Sequence, residues 1–250
     1  MSIEQTRDKL RQMRCFGMAA ALEEQQRTVK ANELSFDERI GMLVDAEHTY
    51  RENGRLNRYL REAKLRHSQA CIEDIDYNPK RNLDKSVVLQ LAGCRWIKDN
   101  QGIIITGKTG VGKSYLACAL ANQACRKGFR ALYRRSPRLF EELTMAHADG
   151  TFAKLLARLA KMDVLVLDDF ALAPMNDMNR RDLLEVFEDR DGLKSTIITS
   201  QLDPDLWHEF IAEPTASDAI CDRILHAAHR IVLKGPSKRP EASQNRRAKN

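Results

Sequence analysis

Hydrophobic and polar positions follow two different patterns along the chain, with a change near residue 100. In residues 1–75, apolar side chains recur three or four positions apart, as at Phe36, Ile40 and Val44. This spacing is typical of amphipathic helices. We therefore predict a small all-α domain over residues 1–75, followed by a linker over 76–100.

After residue 100, short apolar runs alternate with amphipathic stretches. The predicted strands cover residues 103–106, 130–133, 164–167, 196–199 and 230–233. Predicted helices lie between them, for example over Lys113–Arg126 and residues 179–188. Such alternation indicates a parallel sheet with helices on both faces. The sequence predicts an α/β core with a five-stranded parallel sheet over residues 101–234.

Bulk composition restricts the class of protein. The 250 residues are 43% hydrophobic and 30% charged, which is enough apolar material for a packed core. No apolar run reaches the roughly 18 residues that cross a bilayer. Residues 1–14 lack the apolar centre of a signal peptide, so we expect a cytoplasmic protein without a membrane partner. The six cysteines form no C-x-x-C pair and predict neither a zinc site nor a disulfide framework.

The net charge of +6 is concentrated at the end of the chain. Residues 235–250 are rich in lysine and arginine and predict a basic, disordered tail. Such a tail is suited to contact nucleic acid, and the alternative is a solvated end without a ligand.

A glycine-rich loop follows the first predicted strand of the core. It comprises Gly107, Lys108, Thr109, Gly110, Val111, Gly112, Lys113 and Ser114, and Tyr115 continues into a helix. Glycines let backbone amides surround an anion, and the helix N-terminus adds a positive dipole. In a loop of this kind, Lys113 reaches the β- and γ-phosphates and the Ser114 hydroxyl ligates Mg²⁺.

Two aspartates end the third predicted strand. Ligands bind beyond the carboxyl ends of parallel strands, so Asp168 is predicted to hold Mg²⁺ beside Ser114. Asp169 would orient or deprotonate the attacking water. After the fourth strand, Gln201 or Ser200 would lie near the γ-phosphate, unless these residues merely start a loop. The sequence lacks the Asn-Lys-x-Asp motif that reads guanine, which favours ATP over GTP.

Strings outside the phosphate loop resemble one family of P-loop ATPases. They lie at residues 16–24, 34–39, 45–47, 51–53, 96–97, 107–114, 116–117, 195–200, 207, 219–226 and 235–239. Together they resemble the AAA+ ATPases of the IstB type, which help bacterial insertion sequences to transpose and are related to DnaC-type helicase loaders. The resemblance implies an AAA+ core that lacks the usual C-terminal helical lid. It also implies double-stranded DNA, a transposase and further copies of the chain as partners.

The resemblance assigns a role to Arg223, which matches the family's arginine finger. Such an arginine enters the ATP site of a neighbouring subunit and stabilises charge in the transition state. The alternative is a salt bridge on a helix surface. Two positions depart from the family pattern: Asp169 replaces a usual glutamate, and Gln201 replaces a common asparagine. Both departures predict slow turnover rather than lost ATP binding.

Three groups of basic residues are candidate DNA contacts. They comprise Arg51, Arg55, Arg58, Arg61 and Arg66 on one predicted helix, then Arg134, Arg135 and Arg138, and finally Lys154 and Arg158. Each group would bind DNA phosphates, with a steep salt dependence, and the alternative is a solvated charged surface. We predict an ATPase that regulates transposition by assembling on duplex DNA. The alternatives are a helicase-loading adaptor and a P-loop kinase, although the arginine-rich lid of a kinase is not evident.

Overall fold

A computed structural model describes residues 2–28, 31, 33–172 and 175–238. The chain divides into two units, Met1–Arg58 and Tyr59–Asn250. The division of roles predicted at residue 75 remains a prediction. Among the described residues, no helix is long and apolar enough to span a membrane.

Helices form the first unit. They are α1 (Ile3–Gln12), α2 (Phe16–Arg27) and α3 (Phe36–Ala63), the last of which continues into the second unit. Glu47 of α3 accepts hydrogen bonds from the backbone amides of Gly17 at 2.8 Å and Met18 at 3.1 Å. The carboxylate therefore satisfies amides of the first turn of α2, which lack partners within their own helix. A Cβ on Gly17 would lie 2.5 Å from the Ala46 carbonyl oxygen, so this close approach requires glycine.

One predicted arginine lies outside its helix. Lys64 adopts a left-handed backbone conformation, with φ of 51°, and α3 ends at Ala63. The prediction that Arg66 continues the arginine stripe of this helix is therefore wrong. The helical spacing of the arginines continues to residue 66, past Lys64, where the helix has already ended.

The second unit contains a five-stranded, all-parallel sheet. The elements in chain order are α4 (Lys85–Ala92), α5 (Arg95–Lys98), β1 (Ile103–Gly107), α6 (Lys113–Arg126), β2 (Ala131–Arg135), α7 (Ser136–Asp149), α8 (Phe152–Ala160), β3 (Val164–Phe170), α9 (Asp177–Glu188), β4 (Ser195–Ser200), α10 (Trp207–Ile211), α11 (Pro214–Leu225) and β5 (His229–Leu233). The strand order is β2-β3-β4-β1-β5. The predicted five-stranded parallel sheet with flanking helices is confirmed.

The carboxyl ends of β1, β3 and β4 lie side by side at one edge of the sheet. Thr106 pairs with Ser200, and an irregularity between Leu167 and Phe170 shifts the register of β3 against β4. Because β1 leads into the glycine-rich loop, the ends of β3 and β4 flank that loop.

The described residues that follow β5 lie on the glycine-rich loop. We call residues 234–238 the strap. The Lys234 amide donates to the Arg81 carbonyl oxygen at 2.9 Å, and the Lys238 amide donates to the Gly110 carbonyl oxygen at 2.8 Å. The predicted disordered tail covers residues 235–250, and residues 239–250 of it lie outside the described residues.

Candidate functional site

The glycine-rich loop connects β1 to α6 in a tightly packed setting. Gly107 has φ of 144°, and a Cβ at this position would lie 2.3 Å from the Leu233 carbonyl oxygen. Only glycine fits both the backbone angle and the space. The loop is thus fixed between β5 and the start of α6, with the N-terminus of α6 facing the enclosed space.

Lys113 is buried against the glycine-rich loop. Its ammonium donates to the carbonyl oxygens of Gly107 at 2.7 Å and Lys108 at 3.0 Å. A phosphate oxygen is a stronger, charge-assisted acceptor than these carbonyls. The lysine is therefore held at the loop in the position from which it can transfer its hydrogen bonds to a phosphate.

Gln201, beyond the end of β4, lies at the loop as well. Its side-chain oxygen accepts a hydrogen bond from the Thr109 hydroxyl at 2.6 Å. Gln201 and Thr109 also line one cavity with Lys113 and Ser114. The structure thus brings the end of β4 to the phosphate loop, as the parallel topology requires.

Asp168 is fully buried and surrounded by hydrogen-bond donors. The Ser114 hydroxyl lies 2.8 Å from its Oδ1, the Tyr133 hydroxyl lies 2.5 Å from its Oδ2, and Thr199 also donates to Oδ1. The guanidinium of Arg66 lies 3.6 Å from Oδ2. Burial and the neighbouring Asp168 carboxylate raise the pKa of Tyr133, which therefore stays a neutral donor.

These oxygens suit a hard divalent cation. Ser114 and Asp168 together offer a hydroxyl and a carboxylate, the donor types that Mg²⁺ prefers beside substrate phosphates. The sequence did not indicate Tyr133, Thr199 or Arg66 as neighbours of Asp168. The proximity of Tyr133 and Thr199 depends on the pairing of β2, β3 and β4, and that of Arg66 depends on the turn that follows α3.

Asp169 points away from Asp168. Its backbone is left-handed, with φ of 58°, and its amide donates to the Thr199 hydroxyl at 3.2 Å. Its carboxylate pairs with Arg135, with the guanidinium nitrogen 2.9 Å from Oδ2. The two aspartates therefore occupy different surroundings. Asp168 is buried among three hydroxyl donors with the Arg66 guanidinium nearby, and Asp169 is partly exposed and pairs with Arg135.

A cavity of about 260 Å³ joins these groups. Its walls include Lys113, Ser114, Asp169 and Gln201, together with Lys238 of the strap. Tyr115 and His67 form another part of the wall, with ring centroids 5.8 Å apart. Most of the predicted nucleotide-binding residues thus surround one space.

Arg223 lies elsewhere in the unit. It borders a separate cavity that also includes Gly102, the residue immediately before β1, so it lies at the amino edge of the sheet. Its guanidinium donates to Glu188 and to the Ala219 carbonyl oxygen, each at 2.9 Å. The same chain does not bring Arg223 to its own phosphate loop.

The four predicted DNA contacts on α3, Arg51, Arg55, Arg58 and Arg61, are all exposed. Arg51 pairs with Glu47 at 2.6 Å, and Arg55 pairs with Glu52 at 3.2 Å.

The other predicted DNA contacts lie on the second unit. Arg134 is buried, and its guanidinium donates to Glu142 and to the Tyr133 carbonyl oxygen, so it joins β2 to α7 rather than facing solvent. Arg138 pairs with Glu141 at 2.9 Å. Lys154 and Arg158 are exposed on α8.

The family model and the similar proteins that match this chain agree on one family. The family described as IstB-like ATP binding protein matches residues 8–246. An insertion sequence ATP-binding protein of Sinorhizobium fredii is 47% identical over 234 residues, which cover 94% of this chain and 95% of that protein. A corresponding insertion sequence protein of Pseudomonas fluorescens is 50% identical over 202 residues, covering 81% and 87% of the two chains.

Solved structures share the fold. The DnaC helicase loader superposes with a TM-score of 0.60 at 22% identity, covering 68% of this chain and 99% of that chain. DnaA from Aquifex aeolicus, bound to AMPPCP, gives a TM-score of 0.55 at 18% identity and covers 66% and 50%. These likenesses confirm the predicted AAA+ fold.

Proposed function

The chain belongs to the IstB-like family of ATP-binding proteins, and on that premise we propose that it is an ATP-dependent regulator of transposition. It would assemble on double-stranded DNA, hydrolyse ATP slowly and stimulate a partner transposase. One observation carries the assembly part of this proposal. Most of the groups predicted to bind ATP surround one cavity at the carboxyl edge of the sheet, whereas Arg223 lies at the amino edge.

ATP binding would use the groups around the glycine-rich loop. The loop amides and the α6 N-terminus would hold the phosphates, and Lys113 would exchange its carbonyl acceptors for phosphate oxygens. Ser114 and Asp168 would hold Mg²⁺, which supplies positive charge to the β- and γ-phosphates when bound. The neutral donors Tyr133 and Thr199 would keep the Asp168 carboxylate in place.

Hydrolysis would need a water beside the γ-phosphate. Asp169 lines the same cavity and would orient or deprotonate that water once its carboxylate separates from Arg135. Gln201, already at the loop through Thr109, would donate a hydrogen bond to the water or the phosphate. Both residues line the cavity that contains Lys113.

Arg223 would complete the site of a neighbouring copy. A guanidinium that reaches the γ-phosphate from another subunit stabilises transition-state charge. The γ-phosphate would then connect Lys113 of one copy to Arg223 of the next, so that ATP favours assembly and hydrolysis reverses it. The Glu188 partner of Arg223 is half exposed, and exposed ion pairs contribute little stability. Arg223 would therefore lose little when it leaves Glu188 for the γ-phosphate of a neighbour.

Duplex DNA would be the surface for assembly. Arg58 and Arg61 on α3 and Lys154 and Arg158 on α8 are exposed cations suited to phosphate contacts. A transposase is the partner that we propose, because the relatives are named as insertion sequence proteins.

Sedimentation of the full chain with random duplex DNA tests the proposal. We expect a large complex with a non-hydrolysable ATP analogue and a much smaller species without nucleotide. Lys113→Ala should abolish the nucleotide effect. Arg223→Ala should keep ATP binding but lose cooperativity and turnover, whereas Arg181→Ala, an exposed arginine on α9, serves as the matched control.

Mixing the two inactive variants gives a sharper result. Lys113→Ala copies retain Arg223, and Arg223→Ala copies retain the ATP site, so random co-assembly should restore about a quarter of wild-type turnover. No restoration, or normal turnover of Arg223→Ala on DNA, contradicts the role of Arg223. A monomer that ignores duplex DNA but binds single strands and a helicase would instead support a helicase-loading adaptor.

A further inference from the structure

The strap passes directly over the phosphate loop. A Cβ on Gly110 would lie 2.1 Å from the Ser237 hydroxyl oxygen, and the next residue, Lys238, donates its amide to the Gly110 carbonyl oxygen at 2.8 Å. Gly110 itself has φ of 87°. The strap and the loop are therefore packed so closely that the position of one depends on the other.

Arg81 fixes the strap and the loop to the same segment. Its buried guanidinium donates to the Val111 carbonyl oxygen at 2.9 Å and also to the Asp76 carbonyl oxygen. Its own carbonyl accepts the Lys234 amide at 2.9 Å. The backbone of the strap is therefore placed by contacts that do not involve the side chain of Lys238.

The Lys238 side chain forms an ion pair that faces solvent. Its ammonium lies 2.5 Å from Oδ2 of Asp76, and the two side chains are 44% and 48% exposed. The hydrogen bond from Lys238 lowers the pKa of Asp76. Lys238 also lines the cavity that contains Lys113 and Ser114. A cation thus stands at the wall of the space that the proposed function assigns to the phosphates of ATP.

We propose that Lys238 is a phosphate ligand of this site, which exchanges Asp76 for the polyphosphate when nucleotide binds. The inference rests on the proposed function, because it requires ATP at the glycine-rich loop. Exposed ion pairs contribute little stability, whereas an ammonium beside several phosphate oxygens forms charge-assisted hydrogen bonds. The exchange is therefore favourable, and Asp76 acts as a competitor that holds Lys238 in the absence of nucleotide.

Opposite effects of two substitutions test this exchange. Equilibrium titration with methylanthraniloyl-labelled ATP and ADP, using the full chain, measures the dissociation constants. Lys238→Gln should weaken ATP binding roughly tenfold, the loss expected for one hydrogen bond to a charged group. Asp76→Asn keeps the side-chain oxygen that accepts the Asn78 amide and should strengthen binding by about two- to fivefold, the worth of an exposed ion pair.

The double variant and two controls complete the experiment. Lys238→Gln combined with Asp76→Asn should bind like Lys238→Gln alone, because Asp76 then has nothing to compete for. Lys238→Arg should keep most of the affinity. Lys98→Gln makes the same charge change on α5, before the amino end of β1, and should leave binding unchanged. Weakening of ATP alone assigns Lys238 to the γ-phosphate, and equal weakening of ADP assigns it to the inner phosphates.

Two results overturn the inference. If Asp76→Asn and Lys238→Gln weaken binding alike, with matching losses in thermal unfolding temperature, the pair is a structural tie. If Lys238→Gln binds like Lys98→Gln, Lys238 does not contact the nucleotide. Failure of the proposed function looks different, because the wild-type chain would then bind no labelled ATP, or Lys113→Ala would bind it equally well.

Discussion

The ion pair between Arg135 and Asp169 should restrain hydrolysis. Two guanidinium nitrogens of Arg135, Nε and one Nη, lie 2.9 Å from Oδ2 of Asp169, so this oxygen is held by the arginine instead of a water. Arg135→Gln removes this partner and leaves a shorter, neutral polar side chain at the end of β2. We therefore expect the variant to hydrolyse ATP faster than the wild-type chain when no DNA is present.

The size of the effect follows from the exposure of the pair. The side chain of Asp169 is 19% exposed and that of Arg135 is 45% exposed. Pairs of this kind contribute about 0.2–1 kcal/mol, and the partial burial of Asp169 favours the upper value. If the ion pair must break before Asp169 orients water, its energy adds to the activation barrier. Removing the pair then accelerates turnover by up to about fivefold.

Phosphate release at saturating ATP and Mg²⁺, without DNA, measures this change. Arg138→Gln is the matched control, because Arg138 lies in the first turn of α7 and pairs with the exposed Glu141 at 2.9 Å. The difference between Arg135→Gln and wild type should shrink as salt is raised. A turnover that falls several-fold with an unchanged KM would refute the reasoning, since Arg135 would then be needed to position Asp169.

Three further predictions concern the supports of the site and the first unit. Asp168→Asn should bind labelled ATP in EDTA but lose the strengthening by Mg²⁺, as titrations with and without the ion would show. Arg190→Met should lower the free energy of unfolding in urea by about 2–4 kcal/mol, because the buried guanidinium donates to three carbonyl oxygens, those of Leu159 on α8, Met162 before β3 and Ser195 at the start of β4. A loss no greater than in Arg181→Met contradicts this. Burial raises the pKa of Glu47, but hydrogen bonds from Arg51 and the α2 amides lower it further, so its net pKa lies below the ordinary value. The stability that ionised Glu47 contributes is present above pH 4.5 and is lost as the pH falls through its folded-state pKa. Acid titration followed by circular dichroism should therefore show a smaller loss of stability below pH 4.5 in Glu47→Gln than in the wild-type chain.

The strands were predictable because each is a short apolar run with a clear polar end. The helix α6 has the predicted bounds, Lys113–Arg126. The predicted third strand ended at residue 167, whereas β3 continues to Phe170. Asp168 and Asp169 look like loop residues by polarity, but Asp168 is buried among donors and Phe170 pairs with β4 beyond the irregularity. Local polarity could not reveal that the strand continues.

The phosphate loop and Asp168 were predictable from spacing, while their surroundings were not. Tyr133 reaches Asp168 across the β2–β3 pairing, and Thr199 reaches it across the β3–β4 pairing. Lys238 is far along the chain from Gly110, which it contacts. These contacts depend on tertiary structure, and the composition of residues 235–238 resembles that of any basic tail.

The position of Arg223 has a consequence for the form of the proposed assembly. β1 has five residues and spans roughly 16 Å, with the phosphate loop after its last residue and Arg223 near the residue before its first. If Arg223 serves a neighbour, each copy presents its two edges to two different partners, which is a head-to-tail contact. Such contacts generate either a closed ring or an open filament, and an open filament leaves one terminal ATP site without its arginine. Turnover per copy should therefore rise with filament length on longer duplexes, whereas a closed ring would show a constant value.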